Sequence, residues 1–85
     1  MNWWEVILIT CGVGECWVEV RKNGVQVGAD IDFRSRRAGL AFAQKECRRR
    51  GLNSFTEHRN HDVQMVTMAQ AQAQMVINSR PVPLV

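Results

Sequence analysis

The run Glu57-His58-Arg59-Asn60-His61-Asp62 gathers the residue types that ligate metal ions. His58 and His61 are three apart, a spacing that brings side chains together on a helix but not in a turn. No cysteine lies near them in sequence and a third ligand is undefined. Arg59-Asn60-His61-Asp62 is therefore read as a solvated polar turn, with no metal site. Nucleophilic chemistry would need Cys11, Cys16 or Cys47 activated by a histidine. Cys16 and Cys47 fall on expected inward positions, where a thiol behaves as a small hydrophobe. The three cysteines show no CxxC spacing, which argues for free thiols over disulfides or zinc. No phosphate-cradling glycine loop, dinucleotide fingerprint or nucleophile elbow occurs. These residues predict no catalytic group, no cofactor and a non-enzymatic protein.

Two further chemistries are available. The basic residues Arg36, Arg37, Lys45, Arg48, Arg49, Arg50 and Arg59 could neutralise phosphates, and Trp17 on a wet sheet face could stack a base. Against that nucleic-acid reading, Glu19, Asp30 and Asp32 fall on the same sheet face as Trp17. The basic helix and that face also lie on opposite sides of the domain. Protein binding fits better. Trp and Arg are the types enriched in interface hot spots, and Trp3, Trp4 and Trp17 supply large rigid apolar area. The residues expected to bind a partner are Trp3, Trp17, Arg36, Arg37, Arg48 and Arg49. Met65, Met68 and Met75 on a C-terminal helix offer a further adaptable surface.

The elements that position these residues follow from periodicity. Residues 3–10 (WWEVILIT) favour a strand, apolar on both sides and hence central or covered by a partner. Residues 11–15 (CGVGE) form a turn. In 16–22, Cys16, Val18 and Val20 face one way and Trp17, Glu19 and Arg21 the other. Asn23-Gly24 is the strongest short hairpin signal, because both central residues of a type I′ turn need positive φ. Residues 25–33 then alternate, with Val25, Val27, Ala29, Ile31 and Phe33 predicted inward. A helix follows, capped by Ser35 or Asp32 and stopped by Gly51. Its buried stripe is Gly39, Leu40, Ala43 and Cys47; Arg36, Arg37, Gln44, Lys45, Arg48 and Arg49 take its wet side. Leu52 to His58 returns as a strand. Residues 62–68 are ambiguous between strand and helix, and a short strand near 62–66 followed by a helix over about 67–78 is favoured. Pro81 and Pro83 make the tail an extended arm.

The order β-β-β-α-β-(β)-α predicts an α+β fold: an antiparallel sheet of 4–5 strands packed on one face by one or two helices. Residues 1–66 read as the core domain, and 67–85 as an appended helix and arm.

Trp17 and Val18-Glu19-Val20, Ala41-Phe42-Ala43, Cys47, Gly51, Phe55 to Asn60 and Asp62-Val63 resemble a family of small uncharacterised bacterial and phage α+β domains. Those domains pair a W-x-V hairpin with an AFAxxxAxxxG-type helix and a return strand. This sequence has Cys47 where the family has alanine. The resemblance implies the fold and carries no activity. It also suggests a phage or mobile-element accessory protein, such as an anti-defence inhibitor acting by surface occlusion.

With 85 residues and a net charge of +3, the chain is one small basic domain. The charge is polarised: Glu5, Glu15, Glu19, Asp30 and Asp32 precede the basic cluster that begins at Arg34. So small a core predicts a homodimer or a stable complex with another protein. No apolar run approaches the ~18 residues of a membrane span, and no basic leader precedes the first strand, so a cytoplasmic protein without a membrane partner is expected.

Overall fold

The computed structural model describes residues 1–11, 15–60 and 62–79, with the backbone alone for 76–79. The elements are β1 (Trp4–Cys11), β2 (Glu15–Lys22), β3 (Val25–Gln26), β4 (Ile31–Phe33), α1 (Arg36–Arg50), β5 (Ser54–Arg59), β6 (Asp62–Thr67) and α2 (Met68–Ser79). The architecture is α+β. One sheet runs β3-β2-β1-β5-β6, with β4 also paired to β2. Val6, Leu8, Cys16, Val18, Phe55 and Val66 point from the sheet into a core shared with Leu40, Ala43 and Cys47 of α1 and Ala71 of α2. Both helices therefore cover the same face. No helix among the described residues is long and apolar enough to cross a membrane.

Local chemistry accounts for the joints. Asn23 and Gly24 take φ of 54° and 84°, as the two-residue hairpin requires. Trp3 clamps that hairpin: its N–H donates to Asn23 Oδ1 at 2.9 Å and its carbonyl accepts from the Asn23 N–H at 2.8 Å. Ser35 Oγ accepts from the Ala38 N–H at 3.2 Å and caps α1, and Gly51 closes it at φ 68°. Thr67 and Gln70 form a reciprocal capping box: Thr67 Oγ1 accepts from the Gln70 N–H, and Gln70 Oε1 accepts from the Thr67 N–H. This box resolves the 62–68 ambiguity, ending β6 at Thr67 and starting α2 at Met68. At Gly39, α1 rides directly on the sheet. A Cβ there would meet Cys16 Sγ at 2.5 Å and Leu8 Cδ1 at 2.8 Å.

Three expectations are corrected. The sheet is mixed, because β5 pairs parallel with β1 (Ile7 with Thr56, Thr10 with Arg59). The strand after α1 runs in the same direction as β4, and it slots beside β1, which also runs that way. Second, residues 25–33 do not form one inward-facing strand. β3 and β4 pair with β2 in registers two residues apart (Arg21 with Gln26, then Val18 with Ile31), and Gly28 takes φ 76° between them. Val25, Val27 and Ile31 are 69%, 46% and 43% exposed, whereas Phe33 packs inward as expected, its ring 5.3 Å from Phe42 of α1. Third, the wet side of α1 is narrower than expected, because α2 packs beside it as the second of the one or two helices foreseen. Ala71 is fully buried, and Gln44, expected on the wet side of α1, is buried beneath α2 and donates to Gln72 Oε1 at 3.3 Å. The 11–15 turn lies largely outside the described residues, and the proline arm lies wholly outside them.

Candidate interaction surface

Several arginines singled out by composition are engaged within the fold. Arg36 makes a two-pronged pair with Glu57, Nε to Oε2 and Nη2 to Oε1, both at 2.7 Å. The Thr10 hydroxyl donates to the same carboxylate at 3.1 Å. Glu57 is 3% exposed, and the Arg36 hydrogen bonds hold its carboxyl below the usual range despite burial. The same pairing raises the Arg36 guanidinium. Arg50 pairs with the buried Glu46 and lies 4.5 Å over the Trp4 ring, which also carries Lys22 at 5.4 Å. Arg49 reaches Glu46 at 3.3 Å. Arg37, Lys45 and Arg48 remain exposed at helical spacing along one side of α1, a stripe about 16 Å long. Arg59 is exposed at the end of β5, in register with Asp62.

The opposite face of the sheet has a different character. Strand registers line up its side chains in two rows running across four strands. One row is Trp17–Ile9–His58–Val63, and the next is Glu19–Ile7–Thr56–Met65. Ile7 is 4% exposed within its row, while Val63 and Met65 are 64% and 73% exposed at the β6 edge. Glu19 pairs with Arg21, two residues on along the same face, at 3.2 Å. Among the described residues no helix packs on this face. Such a half-apolar, half-polar sheet surface matches the composition of interaction patches more than that of a solvated face. Trp3, 53% exposed, sits beyond the end of β1 with its ring 3.9 Å from the Cβ position of Gly24.

The six residues expected to bind a partner are therefore not one patch. Trp17 lies on the open sheet face, Trp3 at its end, Arg37 and Arg48 on the helix side, Arg36 in an internal ion pair, and Arg49 against Glu46. Sequence reasoning missed Ile9, His58, Thr56, Val63 and Met65 as members of the open face. The signal available was the two-sided apolar character of residues 3–10 and the alternation of Val63, Met65 and Thr67. It also missed Glu57 as the internal partner of Arg36.

Glu57 and His58, adjacent on β5, point to opposite faces of the sheet and cannot share an ion. His61 lies outside the described residues. Burial raises the Cys16 thiol and pushes Cys47 up to about 11, so both stay protonated near neutrality. A shallow cleft of about 340 Å³ beside Cys16 is lined by Glu15, Trp17, Asp32, Phe33 and Arg34.

Compared with known proteins, the chain matches no family model, no curated protein and no solved structure.

Proposed function

We propose that the chain is a small non-enzymatic protein-binding module that docks a partner on the open face of its sheet. The observation that carries this reading is the pair of cross-strand rows, Trp17–Ile9–His58–Val63 and Glu19–Ile7–Thr56–Met65. Two layers support this face: the sheet, and the helices held behind it by the close approach at Gly39 and the Arg36–Glu57 pair. A surface of side chains already held on paired strands, with one large aromatic residue, loses little side-chain entropy on binding. Trp17 is the expected anchor. A module of this kind acts by covering part of a partner's surface, which is also how an occluding inhibitor from a phage or mobile element would work.

The test compares capture of bound protein by the tagged full chain and by two variants, in cells that make it. Trp17→Ala should weaken retention about 30-fold, the size of a ~2 kcal/mol hot spot. Arg37→Ala/Arg48→Ala should leave it unchanged. Equal retention by Trp17→Ala, or no specific protein on the wild-type chain, removes the proposal.

The exposed stripe Arg37, Lys45 and Arg48 favours a second reading, nucleic-acid binding along α1. That binding would weaken steeply with salt, with a log–log slope of about −2 to −3 for two or three phosphate contacts. Absence of any DNA or RNA retardation at ~50 mM salt eliminates it.

A further inference from the structure

The two edges of the sheet are not equivalent. One edge is broken into β3 and β4 by the register slip at Gly28, a common means of blunting an edge. The other edge is β6, six residues long and without lysine, proline or glycine. The Asn60 N–H donates to the Thr10 carbonyl of β1 at 3.1 Å, so Arg59, Glu57 and Phe55 of β5 turn their backbone groups the other way, toward β6. In such a ladder alternate residues turn both backbone groups inward. Asp62, Gln64 and Val66 thus bond to β5, while Val63, Met65 and Thr67 turn theirs outward. The Thr67 N–H is already taken by Gln70 Oε1 at 2.9 Å. The N–H and C=O of Val63 and Met65 are left facing out.

We propose that β6 pairs antiparallel with β6 of a second copy of this chain, joining two sheets into one. A single register satisfies every outward group: Val63 opposite Met65 of the partner subunit, Met65 opposite Val63 of the partner subunit, and Gln64 facing its own counterpart on the two-fold axis. This makes four hydrogen bonds from eight otherwise unpaired groups.

Charge identifies the occupant. A two-fold interface presents every charge of the edge twice, so an edge with few charges brings few like charges together. Asp62 is the only charged residue from 62 to 79, in a chain whose net charge is +3. In this register Asp62 faces Val66 of the partner subunit. The two copies of Asp62 then sit about 13 Å apart along the strands, beyond the ~8 Å screening length of physiological salt. On the open face Val63 and Met65 of both copies come together. The row from Trp17 to Val63 then continues into Met65, Thr56 and Ile7 of the partner subunit, with the valine and methionine side chains adjoining at the joint. Pairing at the edge does not depend on what the open face binds.

The test is the native mass by light scattering across about 5–200 μM, with hydrogen exchange on the same samples. The wild-type chain should reach twice its 9.7 kDa mass. Its Val63 and Met65 amides should become protected as concentration rises. Val63→Lys/Met65→Lys and Val63→Glu/Met65→Glu each place four like charges together and should weaken association at least ~100-fold. Both positions are exposed, so the monomer fold should survive, as far-UV circular dichroism can verify. An equimolar mixture of the two variants should recover the dimer. A monomeric wild-type chain, unprotected Val63 and Met65 amides in a dimer, or dimers persisting in both charged variants would each overturn the proposal. A monomer that still loses its partner through Trp17→Ala would leave the open-face reading intact.

Discussion

Gly39→Ala tests how closely α1 sits on the sheet. In the interior of an exposed helix this change stabilises by about 1 kcal/mol through backbone entropy alone. Here the new methyl would lie 2.5 Å from Cys16 Sγ and 2.8 Å from Leu8 Cδ1. Favourable contacts lie near ~3.5–4.0 Å, so both approaches are about 1 Å too close. Leu8 is 0% and Cys16 3% exposed, which leaves neither side chain a route to solvent. The helix must lift instead. Overpacking of this kind costs roughly 1–3 kcal/mol, and two simultaneous overlaps place it near ~3. The expected net loss is about 2 kcal/mol, or a drop in Tm on the order of 10 °C for a chain of this size. Urea unfolding followed by tryptophan fluorescence, under reducing conditions, measures it. In a Cys16→Ala background one overlap disappears, and the Gly39→Ala penalty should shrink by about 1 kcal/mol or more. A neutral or stabilising Gly39→Ala, or strict additivity with Cys16→Ala, would show that the helix does not ride on Leu8 and Cys16 and would refute the reasoning.

Other expectations follow from the polar joints and the thiols. Glu57→Gln keeps the shape but removes the charge opposite Arg36; with the Arg36 side chain still 24% exposed, the loss should be about 2 kcal/mol by urea unfolding, below the full cost of orphaning a buried charge. Glu57 has a lowered carboxyl pKa in the folded state, so its stabilisation is present above the unfolded carboxyl value of ~4.3 and drains away as pH falls below it. Unfolding midpoints measured from pH 7 down to pH 3 should therefore fall less steeply in Glu57→Gln. Thr67→Ala breaks the capping box and should cost about 1 kcal/mol, with amide exchange accelerated in the first turn of α2. Cys16 and Cys47 should alkylate in the native protein only as fast as it unfolds, because both are buried and their thiols stay protonated.

The features legible in the sequence are those set by neighbouring residues. Asn23-Gly24 announces its turn because few other pairs tolerate two positive φ angles. Ser35 and Gly51 bound α1 for reasons contained within a few residues. The two-sided apolar character of residues 3–10 correctly places β1 in the middle of the sheet. What the sequence conceals is set by distant pairing. Alternation in Val25, Val27 and Ile31 reports which face a side chain is on but not whether anything covers it. Arg36 looks like a free surface cation until β5 brings Glu57 beneath it, twenty-one residues later. The open face is invisible for the same reason. Trp17, Ile9, His58 and Val63 come from four separate segments, and only the parallel placement of β5 beside β1 puts them in one row.

That parallel seam also governs the order in which the chain can assemble. The β1–β2 and β5–β6 ladders pair strands that are neighbours in sequence, whereas Ile7 meets Thr56 only after the whole intervening helix has been placed. Loop closure over that separation must precede any gain from the contact. Until it happens, β1 presents an open flank bearing Val6, Ile7 and Leu8, the most apolar strip of the molecule. The slow step of folding should therefore be the docking of two preformed hairpins around α1. The interval before it is when the chain is most exposed to pairing with the wrong strand.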